Sequence, residues 1–204
     1  MLKKIASGFT AGLAISLGGT VFLSCENKVV GAIFFAIGLF VICVRGLNLY
    51  TGKVGYIFDN KPVYLIEVLV TIVGNFLGTL AVGTVLSFTR IYPAINEKAA
   101  GICQAKLDDS VLSIFILSVC CGMLMYLAVN GYRDYKSDIA KILSVFLCVI
   151  VFILCGFEHS IANMYYFSVA AMWGAESFGY MGIMILGNAV GGVIFPLCKK
   201  LVKE

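Results

Sequence analysis

The sequence predicts an all-α integral membrane protein. Six transmembrane helices are expected as an inverted 3+3 repeat, with helices 2 and 5 interrupted, in a single transmembrane domain over residues 1–204. Three observations carry that reading: composition, six uncharged runs, and a pattern that recurs in both halves. Of the 204 residues, 61% are hydrophobic and only 13% charged. A soluble chain is roughly half apolar and about a quarter charged. So much apolar surface has lipid as its natural solvent.

The charged residues cut the chain into uncharged runs at 5–25, 29–44, 68–89, 110–132, 142–157 and 177–198. Four of these have 21 to 23 residues, and about 20 suffice to cross a hydrocarbon core. The runs 29–44 and 142–157 have 16 each and continue past their charges into further apolar sequence. These two are the interrupted spans. The start, MLKK before a 21-residue apolar run, also resembles a secretory signal. The length of the run and the lack of a small-x-small site favour a retained first span.

The halves, about 1–90 and 106–204, repeat one pattern. The second span of each is broken, at Arg45 and at Glu158–His159. The third span carries GNFLG at 74–78 and GNAVG at 187–191. Three spans per half send the second copy in from the opposite side, an inverted repeat that places a substrate path beside discontinuous helices. The GNxxG glycines fit close helix packing, as do Gly8 and Gly12. Asn75 and Asn188 are expected to bond backbone freed at the breaks, because a carboxamide facing lipid is costly.

Lysine and arginine orient the chain. With both termini in the cytoplasm, the inner side holds ten (Lys3, Lys4, Lys53, Lys61, Arg133, Lys136, Lys141, Lys199, Lys200, Lys203). The outer side holds four, Lys28, Arg90, Lys98 and Lys106. The net charge of +4 is thus an orientation signal and implies no nucleic acid. Eight cysteines without CxxC spacing, with a single histidine, offer no zinc or bis-histidine haem site. No cofactor, metal or catalytic constellation is expected, so the chain reads as a non-enzyme.

GFEHSIANMY at 156–165 resembles the most characteristic motif of the formate/nitrite transporter family. LYTG at 49–52, KLDDS at 106–110 and both GNxxG motifs follow in the family's order. The resemblance implies an aquaporin-like protomer in a homopentamer of the inner membrane, each protomer with a pore for small monovalent anions or their conjugate acids. By position, His159 resembles the central pore histidine, Thr51 the loop threonine bonded to it, and Lys106 the outer-vestibule lysine. Phe35 and Phe152 match the outer hydrophobic slit, and Leu39 an apolar position further in. Gly122 stands where many members have asparagine, and Arg45 where an uncharged residue is common.

On a continuous helix Phe152, Gly156, His159 and Asn163 would share one stripe. Glu158 would point away from it as a structural acceptor, with Arg45 its expected partner. An ionisable residue inside a membrane marks a functional site by default, which singles out His159. A bare anion cannot cross a constriction of phenylalanine and leucine, because desolvation drives it to take up a proton. Lys106 would concentrate anions, and His159, oriented by Thr51, would supply a hydrogen bond or the proton. A neutral-solute channel and a non-conducting scaffold are the alternatives.

Overall fold

A computed structural model describes residues 1–203; Glu204 and the side chain of Lys203 lie outside the described residues. The helices are α1 (Leu2–Ser24), α2 (Lys28–Arg45), α3 (Tyr50–Lys53), α4 (Tyr64–Leu86) and α5 (Tyr92–Leu107). They continue as α6 (Val111–Asp134), α7 (Asp138–Leu154), α8 (Ser160–Ala170) and α9 (Ala175–Lys203). A 3-10 turn, Val54–Asp59, follows α3, and no strand occurs among the described residues.

Five helices, α1, α2, α4, α6 and α9, are long and apolar enough to cross a membrane. The sixth apolar helix, α7, has 17 residues. Local signals set their starts. Asn27 accepts from the Val29 and Val30 amides at 2.9 and 3.1 Å to cap α2. Ser110 and Ser137 cap α6 and α7 in the same way, and Pro93 occupies the first turn of α5.

The apolar residues divide between an inside and an outside. Ile15, Leu39 and Ile114 are 1% exposed, whereas Phe34, Leu147 and Leu186 are 57%, 56% and 60% exposed. Helices apolar all round fit a bilayer.

α1 packs chiefly on α4, and α6 on α9. Both contacts are backbone to backbone across small residues. A Cβ at Gly12 would lie 2.9 Å from Gly78 Cα, and one at Gly78 would run into the Phe9 carbonyl. In the second pair, a Cβ at Gly122 would lie 2.9 Å from Asn188 Cα, and one at Gly191 would strike the Val119 carbonyl. Gly122 is therefore a packing position against α9. An asparagine there could not fit unless α9 moved away.

The short helices cross between the halves. α8 packs on α4 and α1, while α3 and the 3-10 turn pack on α6 and α9. Replacing Gly78 or Gly191 by leucine should abolish the monodisperse peak of detergent-solubilised protein on size exclusion. Gly101→Leu, with nothing within 4 Å of its Cβ, should leave that peak intact. A normal profile for Gly191→Leu would contradict the close approach.

Candidate functional site

At two of its helix ends, after Arg45 and after Leu154, a glycine with positive φ makes the turn: Gly46 at 62° and Gly156 at 70°. Both exits close with the same bonds. Leu47 N–H donates to the Ile42 carbonyl at 3.0 Å, and Phe157 N–H to the Phe152 carbonyl at 2.9 Å. An asparagine of the other motif then ties each break shut. Asn75 Oδ1 accepts from Tyr50 N–H at 2.9 Å, and its Nδ2 donates to the carbonyls of Asn48 and Gly8. Asn188 Oδ1 accepts from Ser160 N–H at 2.9 Å, and its Nδ2 donates to the carbonyls of Glu158 and Ser118. Both asparagines are fully buried. Each carboxamide thus satisfies backbone groups beside its break and adds a bond to a carbonyl of a neighbouring helix, Gly8 of α1 or Ser118 of α6.

The second break delivers His159 to the N-cap of α8. Its Nδ1 accepts from Ala162 N–H at 3.0 Å, and its Nε2 lies 2.9 Å from Thr51 Oγ1. An Nδ1 that accepts carries no hydrogen, so the neutral ring bears its proton on Nε2 and donates to Thr51. Phe152 stacks on the imidazole with centroids 5.4 Å apart, and Phe35 meets Phe152 edge-on at 5.7 Å. Thr51, His159, Phe35 and Leu39 are all 1–2% exposed. Beside them Ser160 Oγ is buried and has no partner among the described residues.

Two cavities flank this cluster. One, of about 150 Å³, is lined by Lys28, Lys106, Phe152, Gly156, His159 and Asn163, among others. The other, of about 300 Å³, is lined by Leu49, Gly52, Lys53 and Arg133, among others. α2 runs from Lys28 at the first to Cys43 at the second. The cavities therefore lie at opposite ends of a helix about 27 Å long.

Several expectations need correction. Phe152, Gly156, His159 and Asn163 do border one cavity, yet they share no helical stripe, because α7 ends at Leu154 and α8 begins at Ser160. They converge because the chain turns at Gly156. Arg45 is not the partner of Glu158. It ends α2 at the surface, exposed and without an ion pair among the described residues. Glu158 is 4% exposed and is bridged by Lys106 Nζ at 2.7 and 2.8 Å, with Asn163 Nδ2 at 2.6 Å. α5 carries Lys106 over the second break, which a reading along single segments could not anticipate. That reading also missed Lys28, the first residue of α2, which lines the His159 cavity and makes no ion pair among the described residues.

Lys106→Met should lower the melting temperature of the detergent-solubilised protein clearly, since stripping one partner from a buried pair costs about 3–5 kcal/mol. The double variant Lys106→Met, Glu158→Gln restores neutrality and should recover most of that loss. Thermal unfolding followed by Trp173 fluorescence checks this; a double variant no more stable than the single one would refute it.

Comparison with known proteins agrees with the geometry. Residues 1–201 match the formate/nitrite transporter family. The chain is 29% identical over 185 residues to the uncharacterized transporter YrhG of Bacillus subtilis, covering 83% of this chain and 69% of that one. It is 28% identical to a probable formate transporter of Methanothermobacter thermautotrophicus, over 96% of this chain and 86% of the relative. The nitrite transporter NirC of Escherichia coli is 26% identical, with 95% and 79% covered. A solved pentameric formate channel with formate bound has the same fold, at TM-score 0.81 and 22% identity, with 98% and 96% covered. An FNT family ion channel superposes at TM-score 0.85 and 23% identity, with 95% and 87% covered. This chain, a multi-pass membrane protein, belongs to the formate/nitrite transporter family, a family of transporters and not of enzymes.

Proposed function

We propose that the protein is a channel or transporter for small monovalent anions or their conjugate acids, with formate, nitrite and hydrosulfide as its substrate class. The observation that carries this reading is the buried His159–Thr51 pair, framed by Phe152 and Phe35, between cavities at opposite ends of the molecule. The chain crosses the bilayer six times, with α2–α3 and α7–α8 as interrupted spans. The matching Gly46 and Gly156 turns and the paired asparagines support an inverted, aquaporin-like repeat. The ten-to-four lysine and arginine balance favours both termini in the cytoplasm of an inner membrane. The pentameric formate channel of like fold favours a homopentamer.

Anions reach the His159 cavity under the pull of Lys28, because Lys106 is neutralised by Glu158. Past that mouth, a bare charge between Phe35 and Phe152 would lose its hydration without compensation, so the anion takes up a solvent proton before entering. The neutral acid then meets the Thr51 hydroxyl, backed by His159. His159 Nε2–H donates to Thr51 Oγ1, which frees the Thr51 hydroxyl hydrogen for an acceptor atom of the permeating molecule, oxygen or sulfur. His159 acts here as a hydrogen-bond donor, since protonating Nδ1 would break its bond to Ala162 N–H. Net direction follows the anion and proton gradients.

In proteoliposomes, His159→Phe should cut the initial flux of formate, nitrite and hydrosulfide about tenfold or more, the scale of one lost hydrogen bond at a desolvated site. His159→Asn retains an acceptor for the α8 cap and should separate a folding defect from a transport defect. Unchanged flux and pH dependence in His159→Phe would exclude the role given to this ring.

A further inference from the structure

We propose that the larger cavity, at the α3 end, is a binding site for planar two-oxygen monoanions, small carboxylates and nitrite, with Lys53 attracting them and Arg133 holding them. The proposal deepens the transport reading and rests on it.

The cavity holds about 300 Å³, twice the volume beside His159. Two cations line it, and each lies on an aromatic face that lines it too. Arg133 Cζ is 4.6 Å from the centroid of Tyr56, and Lys53 Nζ is 5.1 Å from that of Tyr64. A ring face fixes the position of a cation without cancelling its charge. A carboxylate would do both. The one acid that bridges Lys53 among the described residues is Glu67, at 3.8 Å, and Glu67 is held more closely by Lys4. Arg133 has no ion pair among the described residues, and neither has its exposed neighbour Asp134. Lys4, Lys53 and Arg133 are thus three cations beside two carboxylates, Glu67 and Asp134, which leaves this end with surplus positive charge. At the other end Lys106 and Glu158 cancel.

Arg133 adds selectivity to attraction. Its guanidinium presents parallel N–H donors spaced for two oxygens of one planar anion, whereas a lysine ammonium offers only a point charge. A spherical anion engages the fork poorly. Tyr132 lines the same wall. On the transport reading, a molecule enters or leaves the Thr51–His159 passage through this chamber at the α3 end, so the site sets affinity at one mouth only.

Initial rates in membrane vesicles of both orientations test this, with formate, nitrite and hydrosulfide as probes. Arg133→Lys keeps the charge and loses the fork. It should raise KM for formate and nitrite about tenfold when the α3 end faces the supply, and leave hydrosulfide unchanged. Lys53→Gln with Arg133→Gln should raise KM for all three on that side, with a deficit that shrinks at high salt. Equal KM values for wild type and both variants in both orientations would overturn the proposal. A second measurement stands apart from transport: formate should raise the melting temperature of wild type above chloride at equal ionic strength, and Arg133→Lys should erase the difference. No preference for formate in wild type would sink the site. Wild type that prefers formate yet carries no anion would instead sink the transport reading and leave the site standing.

Discussion

In a hydrocarbon environment, backbone groups released from a helix have no water to turn to, and each costs several kcal/mol if left unpaired. The whole arrangement rests on how this chain meets that constraint at its two breaks. Asn75 and Asn188 each supply one acceptor and two donors, and each bond goes to a backbone group beside a break or to the neighbouring helix. The GNxxG pattern makes this possible. Its glycines bring α4 onto α1 and α9 onto α6 closely enough for the asparagine between them to reach across. Packing and polar satisfaction are thus one device: without the close approach the carboxamides would miss the breaks.

The breaks in turn create the site. A continuous helix through residues 142–170 would bury both ring nitrogens of His159 along its flank. Because the chain turns at Gly156, the histidine becomes an N-cap, with Nδ1 committed to Ala162 and Nε2 aimed at Thr51. Thr51 comes to that place by the same route, since it belongs to the short helix after the first break. Two interruptions, one in each half, therefore deliver the two partners of a single hydrogen bond in a wall that is otherwise phenylalanine and leucine.

Charge is distributed unevenly about that wall. On the His159 side, Lys106 and Glu158 form a buried bidentate pair that braces the second break and contributes little net field. Desolvating two such charges offsets much of their attraction, so the pair's net stabilisation is small, whereas losing one partner is costly. The other cations that line the two cavities are Lys28 on this side and Lys53 with Arg133 on the other.

Much of this was legible in the sequence. Lipid acts on each segment through its own composition, so the apolar helices can be read one stretch at a time. The recurrence of GNxxG pointed to matching third helices, and GFEHSIANMY to the family, which the match over residues 1–201 bears out. The singling out of His159 followed from the rarity of an ionisable group in an apolar run. What only the tertiary structure decided were the pairings across the chain. Glu158 takes Lys106, 52 residues away, and not Arg45; Gly122 faces the α9 backbone and no cavity; Lys53 and Arg133 meet in one chamber. Hydropathy is a property of neighbours in sequence, whereas the partner of a buried charge depends on which helix the fold lays across it, and no local spacing encodes that.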